Sequence, residues 1–126
     1  ADFSNPAAAE KSRAALAAMV PSAHKTFIEG MSRSISFGDF FFCHAGIRPG
    51  VALADQDPHD LIWIREPFLN HAGLHEKVVV HGHTPQSEAE IMANRVNVDT
   101  FAYASGRLTA FVVEGREKRL LQAGAD

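Results

Sequence analysis

Val78-Val79-Val80 is an unbroken β-branched triplet that runs straight into His81 and Gly82. Three such residues without polar alternation mark a strand of the kind buried on both faces, so 77–81 reads as the strongest strand in the chain. The same design occurs twice more. Phe40-Phe41-Phe42-Cys43-His44 stops before Ala45-Gly46, and Val96-Asn97-Val98-Asp99 stops before Thr100. A fold that buries these runs presents His44, His81, His83 and Asp99 at their ends, where chemistry is displayed.

Turn and cap signals arrange the remaining chain around them. Ser4, Asn5 and Pro6 offer a stop or N-cap for an Ala-rich helix over 7–19. Pro21 breaks it, and His24, Phe27, Ile28 and Met31, spaced by three and four, predict a second helix ending near Gly30. Gly38-Asp39 reads as a hairpin turn between strands 34–37 and 40–44. A loop over 46–57 leads to a short helix from Asp57 or Pro58 to about Leu69, limited by Pro67. From Arg95, strand runs at 95–99, 108–113 and near 119–121 are separated by Gly106-Arg107 and Gly115. Helices first and strands afterwards predict an α+β fold with a mostly antiparallel sheet.

A length of 126 residues suits one ordinary domain, and no repeat or linker divides it. The apolar fraction is 46%, but 20 of those residues are alanine, so the nine Phe, the Trp and the Tyr must supply much of the large buried surface. The core is therefore expected at Phe37, Phe40, Phe41, Phe42, Trp63 and Phe68. A net charge of −3 argues against a nucleic-acid footprint. Cys43 stands alone, which excludes an internal disulfide and a thiolate-rich zinc cage. No apolar run reaches the roughly 20 residues of a membrane helix, and the first 20 residues lack a signal-peptide core. A cytoplasmic chain with no membrane partner is the expectation.

The strand ends carry the candidate chemistry. His44 is either a delivered imidazole or a buried histidine bonded to backbone. His81 and His83, at i and i+2 of an extended segment, project to one face and could address one metal ion, unless they merely decorate an exposed turn. Asp99 could orient a metal-bound imidazole, or with Thr100 satisfy a turn. Arg65 and Arg48 are the candidate anion binders, because a guanidinium grips two phosphate oxygens at once. The alternative for each is a surface salt bridge, with Glu66 beside Arg65.

Taken in order, Phe41-Phe42-Cys43-His44-Ala45-Gly46-Ile47-Arg48-Pro49-Gly50, Asp60-Leu61-Ile62-Trp63-Ile64-Arg65-Glu66, Val79-Val80-His81-Gly82-His83-Thr84-Pro85 and Val96-Asn97-Val98-Asp99-Thr100 resemble one family. It is the calcineurin-like metallophosphoesterases, in particular bacterial relatives of the serine/threonine phosphoprotein phosphatases and of symmetrical diadenosine tetraphosphatase. The resemblance implies two divalent metal ions, manganese, iron or zinc, that activate water for attack on a phosphoester. It makes His44 and His83 metal ligands, with His81 a further candidate, and it matches Arg65 to a phosphate-binding arginine. Phe101 stands where relatives often have glycine.

The family's Asp-x-His, GDxxDRG and GNH(E/D) motifs are absent from these residues. The chain therefore resembles the C-terminal half of a four-layer αββα phosphatase and is expected to be inactive alone, with metal binding weak or absent. Its expected partners are the missing N-terminal half and a phosphoprotein or phosphorylated small molecule. An exposed sheet would also invite a homodimer. The leading activity is hydrolysis of phosphomonoesters, with phosphoserine or phosphothreonine expected. Symmetrical dinucleoside tetraphosphate hydrolysis and a non-catalytic metal-binding or interaction module are the alternatives.

Overall fold

The computed structural model describes residues 4–115 and 117–124. The chain forms two compact units, Ala1–Ser32 and Arg33–Asp126. In the first, α1 (Pro6–Met19) is capped by the Asn5 side chain, which accepts from the amides of Ala7 and Ala8. After Pro21, α2 spans Ser22–Glu29, and Lys25 Nζ donates to the Ala17 carbonyl (2.6 Å) near the end of α1. Neither helix contains a buried residue.

The second unit is built on a five-stranded sheet and a hairpin. Strands β1 (Ser34–Phe37) and β2 (Phe40–Cys43) turn at Gly38, whose φ of +54° suits a residue without Cβ. A helix α3 (Asp60–Trp63) precedes β3 (Val78–His81), then come β4 (Glu90–Ile91), β5 (Arg95–Asn97) and α4 (Ala102–Ser105). The chain closes with β6 (Leu108–Glu114) and β7 (Glu117–Ala123), paired as a separate antiparallel sheet. The main sheet runs β1-β2-β3-β5-β4. Three of the five pairings among the described residues are antiparallel, so the α+β class with a mostly antiparallel sheet holds; the central pairs β2–β3 and β3–β5 are parallel.

Period-two alternation divides the core between the faces of this sheet. Phe41 and Val79 face one side and pack with Ala45, Ile47, Leu61, Ile64 and Phe68. Phe40, Val80 and Val96 face the other, where Phe111 and Val113 of β6 cover them; the Phe40 and Phe111 rings meet edge-on at 5.7 Å. The valine triplet is thus covered on both sides, as its composition requires.

Several expectations change. Phe37 is 75% exposed and Trp63 56%, so neither belongs to the core. Phe37 sits on edge strand β1 opposite Phe40 and shares its face, but lies outside the cluster packed around Phe40. The helix expected to reach Leu69 stops at Trp63, with Ile64 already extended. Pro67 cannot donate to a helical carbonyl and disfavours the α region for Glu66. Strand β5 ends at Asn97 rather than Asp99, while β4 and α4 arise where no periodicity announced them.

His75 sits over this core, stacked on Phe68 (5.7 Å) and on His71 (4.9 Å). Burial first, and the charge of His71 second, hold its pKa below the ordinary 6.5. The unfolded chain takes up a proton near that value that the folded chain resists, so stability should fall as pH drops below it. Thermal melts from pH 7 to pH 5 should therefore show a smaller decline for His75→Phe than for the wild type; equal declines would remove His75 from the acid response.

Candidate metal centre

The parallel strands β2, β3 and β5 end side by side. The Gly82 amide donates to the His44 carbonyl (2.9 Å), and the Val98 amide to the His81 carbonyl (2.9 Å), which locks three strand ends in register. Ligand sites in sheets with parallel strands form at such carboxyl ends. Here the arrangement brings together side chains that lie 39 positions apart: His44 Nε2 is 3.2 Å from His83 Nδ1. Their ring centroids are 4.9 Å apart.

His83 reaches His44 because its backbone is left-handed, with φ of +67°. That departure breaks the i, i+2 alternation on which a shared His81–His83 face depended. His81 instead points into the core, 2% exposed, with its ring edge-on to Phe68 at 4.9 Å. Arg95 Nη1, which can only donate, lies 3.4 Å from His81 Nε2, so Nε2 accepts and the proton belongs on Nδ1, facing the Gly82 carbonyl at 3.0 Å. Burial, the main cause, pushes the His81 pKa down to about 4. His81 is a neutral core histidine in this arrangement; it lines the same cleft as His44 and His83, but no described hydrogen bond or ring contact joins its side chain to theirs.

His83 is also held below its ordinary pKa, first by burial and then by the charges of Arg65 and His44, with Asp99 opposing. A neutral imidazole is the form that binds metal. Its Nε2 is buried and makes no well-formed hydrogen bond, although the Trp63 backbone favours the protonated ring. Trp63, at the end of α3, meets the His83 ring edge-on at 5.4 Å. Sequence reasoning placed Trp63 in the core and missed this contact; its only signal was its position two residues before Arg65.

Asp99 lines the same cleft, a cavity of about 390 Å³ that also holds His44, Gly82 and His83. Its Oδ1 accepts from the Phe101 amide (3.1 Å), and a Cβ on Gly82 would meet Asp99 Cβ at 3.3 Å. Glycine lets the two strand ends approach. Among the described hydrogen bonds no imidazole donates to the Asp99 carboxylate, and its bond from the Phe101 amide is of the turn kind that was the alternative.

The two arginines separate. Arg48 directs Nε and Nη2 at the Asp60 carboxylate, at 2.7 and 3.0 Å, which is the salt-bridge alternative. Arg65 is exposed, makes no ion pair with Glu66, and is close enough to His83 to affect it electrostatically. Of the two, Arg65 is the one left open to an anion. Cys43, directed at the Gly46 carbonyl (3.4 Å), has its pKa pushed up to about 12 by burial and is no thiolate ligand.

His44 and His83 fit the donor chemistry of a divalent transition metal, and the buried His83 Nε2 is not committed to a well-formed hydrogen bond. They fit only in part, because no group of three His, Cys, Asp or Glu side chains able to hold a metal ion occurs among the described residues. No helix of the described residues is long and apolar enough to cross a membrane. Comparison with known proteins yields no matching family model and no matching curated sequence.

Proposed function

We propose that the chain is the C-terminal part of a calcineurin-like metallophosphoesterase that hydrolyses phosphomonoesters, phosphoserine or phosphothreonine first among them, and that it is inactive without the N-terminal half. The observation that carries this reading is the meeting of His44 Nε2 and His83 Nδ1 at 3.2 Å, at the carboxyl ends of parallel strands. Divalent metal ions, when bound, supply Lewis acidity towards the phosphoryl oxygens and acidify the attacking water. Within this chain, His44 and His83 would hold the metal through neutral imidazoles. Arg65, exposed and in no ion pair among the described residues, would bind and orient the phosphate. Trp63 screens one side of His83 from water. Arg48 is engaged by Asp60 and positions the loop after β2 instead. The remaining ligands and the leaving-group acid are assigned to the N-terminal half.

The test is an assay of the longer protein with manganese on a phosphoserine peptide and on a symmetrical dinucleoside tetraphosphate. Turnover of the peptide supports the reading, and preference for the tetraphosphate moves the substrate to that class. No turnover of any phosphoester by a protein containing the upstream metal motifs would sink it. Tight stoichiometric metal binding by the isolated chain, abolished by His44→Ala and His83→Ala, would point to a non-catalytic metal-binding module.

A further inference from the structure

We propose that the cavity beside the histidine pair is a subsite for an aromatic ring carried by the phosphoester, and that Phe101 selects it. The choice of phosphoester rests on the phosphatase reading; the ring site rests on its own geometry. The cavity has a volume of about 430 Å³, within the range of small-ligand pockets, and Pro85, Gln86, Ser87, Phe101 and Arg107 are among its walls. Thr100 and Phe101 of this cavity directly follow Asp99, which lines the cleft of the histidine pair. That residue accepts from the Phe101 amide through Oδ1 (3.1 Å) and from the Gln86 amide through its carbonyl (2.9 Å). Both walls of the ring cavity are therefore bonded to the residue that faces His83.

Phe101 is itself out of place. It holds φ +63° and ψ +37°, a left-handed conformation that a bulky side chain adopts at a cost and glycine adopts freely. Its ring is 37% exposed and meets Tyr103 edge-on at 4.4 Å, which steadies it without burying it. The Thr100 hydroxyl and the Arg107 guanidinium in its walls are already engaged. Thr100 Oγ1 donates to the Arg107 carbonyl (2.8 Å), while Arg107 donates to the Ser87 carbonyl (2.6 Å) and pairs with Glu88 (2.9 Å). A cavity with its charge neutralised and a phenyl face at its wall selects an apolar ring rather than a second anion. The ring is carried either by the alcohol released or by the side chain next to the phosphorylated residue.

The chain, labelled with ¹⁵N, is titrated with phenol, phenyl phosphate, a phosphoserine-phenylalanine dipeptide and inorganic phosphate. The ring-bearing probes should shift the amides of Gln86, Ser87, Phe101 and Tyr103, and one ring-bearing phosphoester should bind at least tenfold tighter than inorganic phosphate. Tighter binding of phenyl phosphate assigns the ring to the alcohol; tighter binding of the dipeptide assigns it to the neighbouring side chain. Phe101→Gly, which keeps the backbone conformation, should erase the tenfold advantage and the phenol shifts. Ring probes that bind no tighter than phosphate, or an advantage that survives Phe101→Gly, would overturn the subsite. Intact phenol shifts, with no phosphoester turned over by the longer protein in manganese, would leave the ring site standing and count against the phosphatase reading alone.

Discussion

Gly46→Ala is expected to be among the most destabilising single-methyl changes in this chain. A Cβ at this position would overlap the Phe68 ring, which is fully buried and cannot swing away, and Gly46 holds φ +152°. Overpacking costs about 1–3 kcal/mol, and the backbone conformation adds to it. A loss of roughly 2–4 kcal/mol is a large part of the stability of an ordinary domain. Urea denaturation should show a lower midpoint with an unchanged slope. Shrinking the obstacle provides the control: in the background of Phe68→Leu, adding Gly46→Ala should cost less than it does in the wild type. Additive effects would show that the glycine is required for some reason other than room for Phe68.

In the longer protein, His44→Ala and His83→Ala should each lower phosphatase turnover more than about 100-fold, since even outer-shell partners of metal ligands cost about 10–100-fold. Metal content should fall with turnover. His81→Asn should behave differently, because His81 is buried against Phe68 and Arg95 rather than beside the His44–His83 pair. It should lower the melting temperature with the smaller loss of turnover. Arg65→Ala should raise KM, whereas Arg48→Ala should act on stability by leaving the mostly buried Asp60 carboxylate without its partner. Full activity in His83→Ala would refute the assignment of the pair as ligands, and equal KM effects for both arginines would refute the separation between them.

The positions legible in advance are those where local chemistry and burial agree. Asn5 ahead of an Ala-rich run, Gly38-Asp39 between apolar stretches, and three consecutive valines each specify one local outcome, and the structure places a capped helix, a hairpin and a doubly covered strand there. The strand-end histidines were also visible, because an apolar run that stops on a polar residue beside glycine is a pattern in the chain itself. Phe37 and Trp63 were misplaced because an aromatic residue is equally suited to a core and to a cleft wall. Only the neighbours decide.

What the sequence determined by itself was the set of elements that punctuation and periodicity specify, together with the residue types capable of chemistry. What only the tertiary structure decided was which of them meet. The parallel alignment of β2 with β3 sets His44 beside Gly82, and the left-handed turn at His83 then carries one imidazole to His44 while its neighbour by two, His81, is left in the core. Likewise Asp60, twelve positions away, occupies Arg48, so of the two candidate arginines Arg65 is the one left open to an anion. Strand register and a single positive φ are set by packing across the sheet, and no local run of residues encodes them.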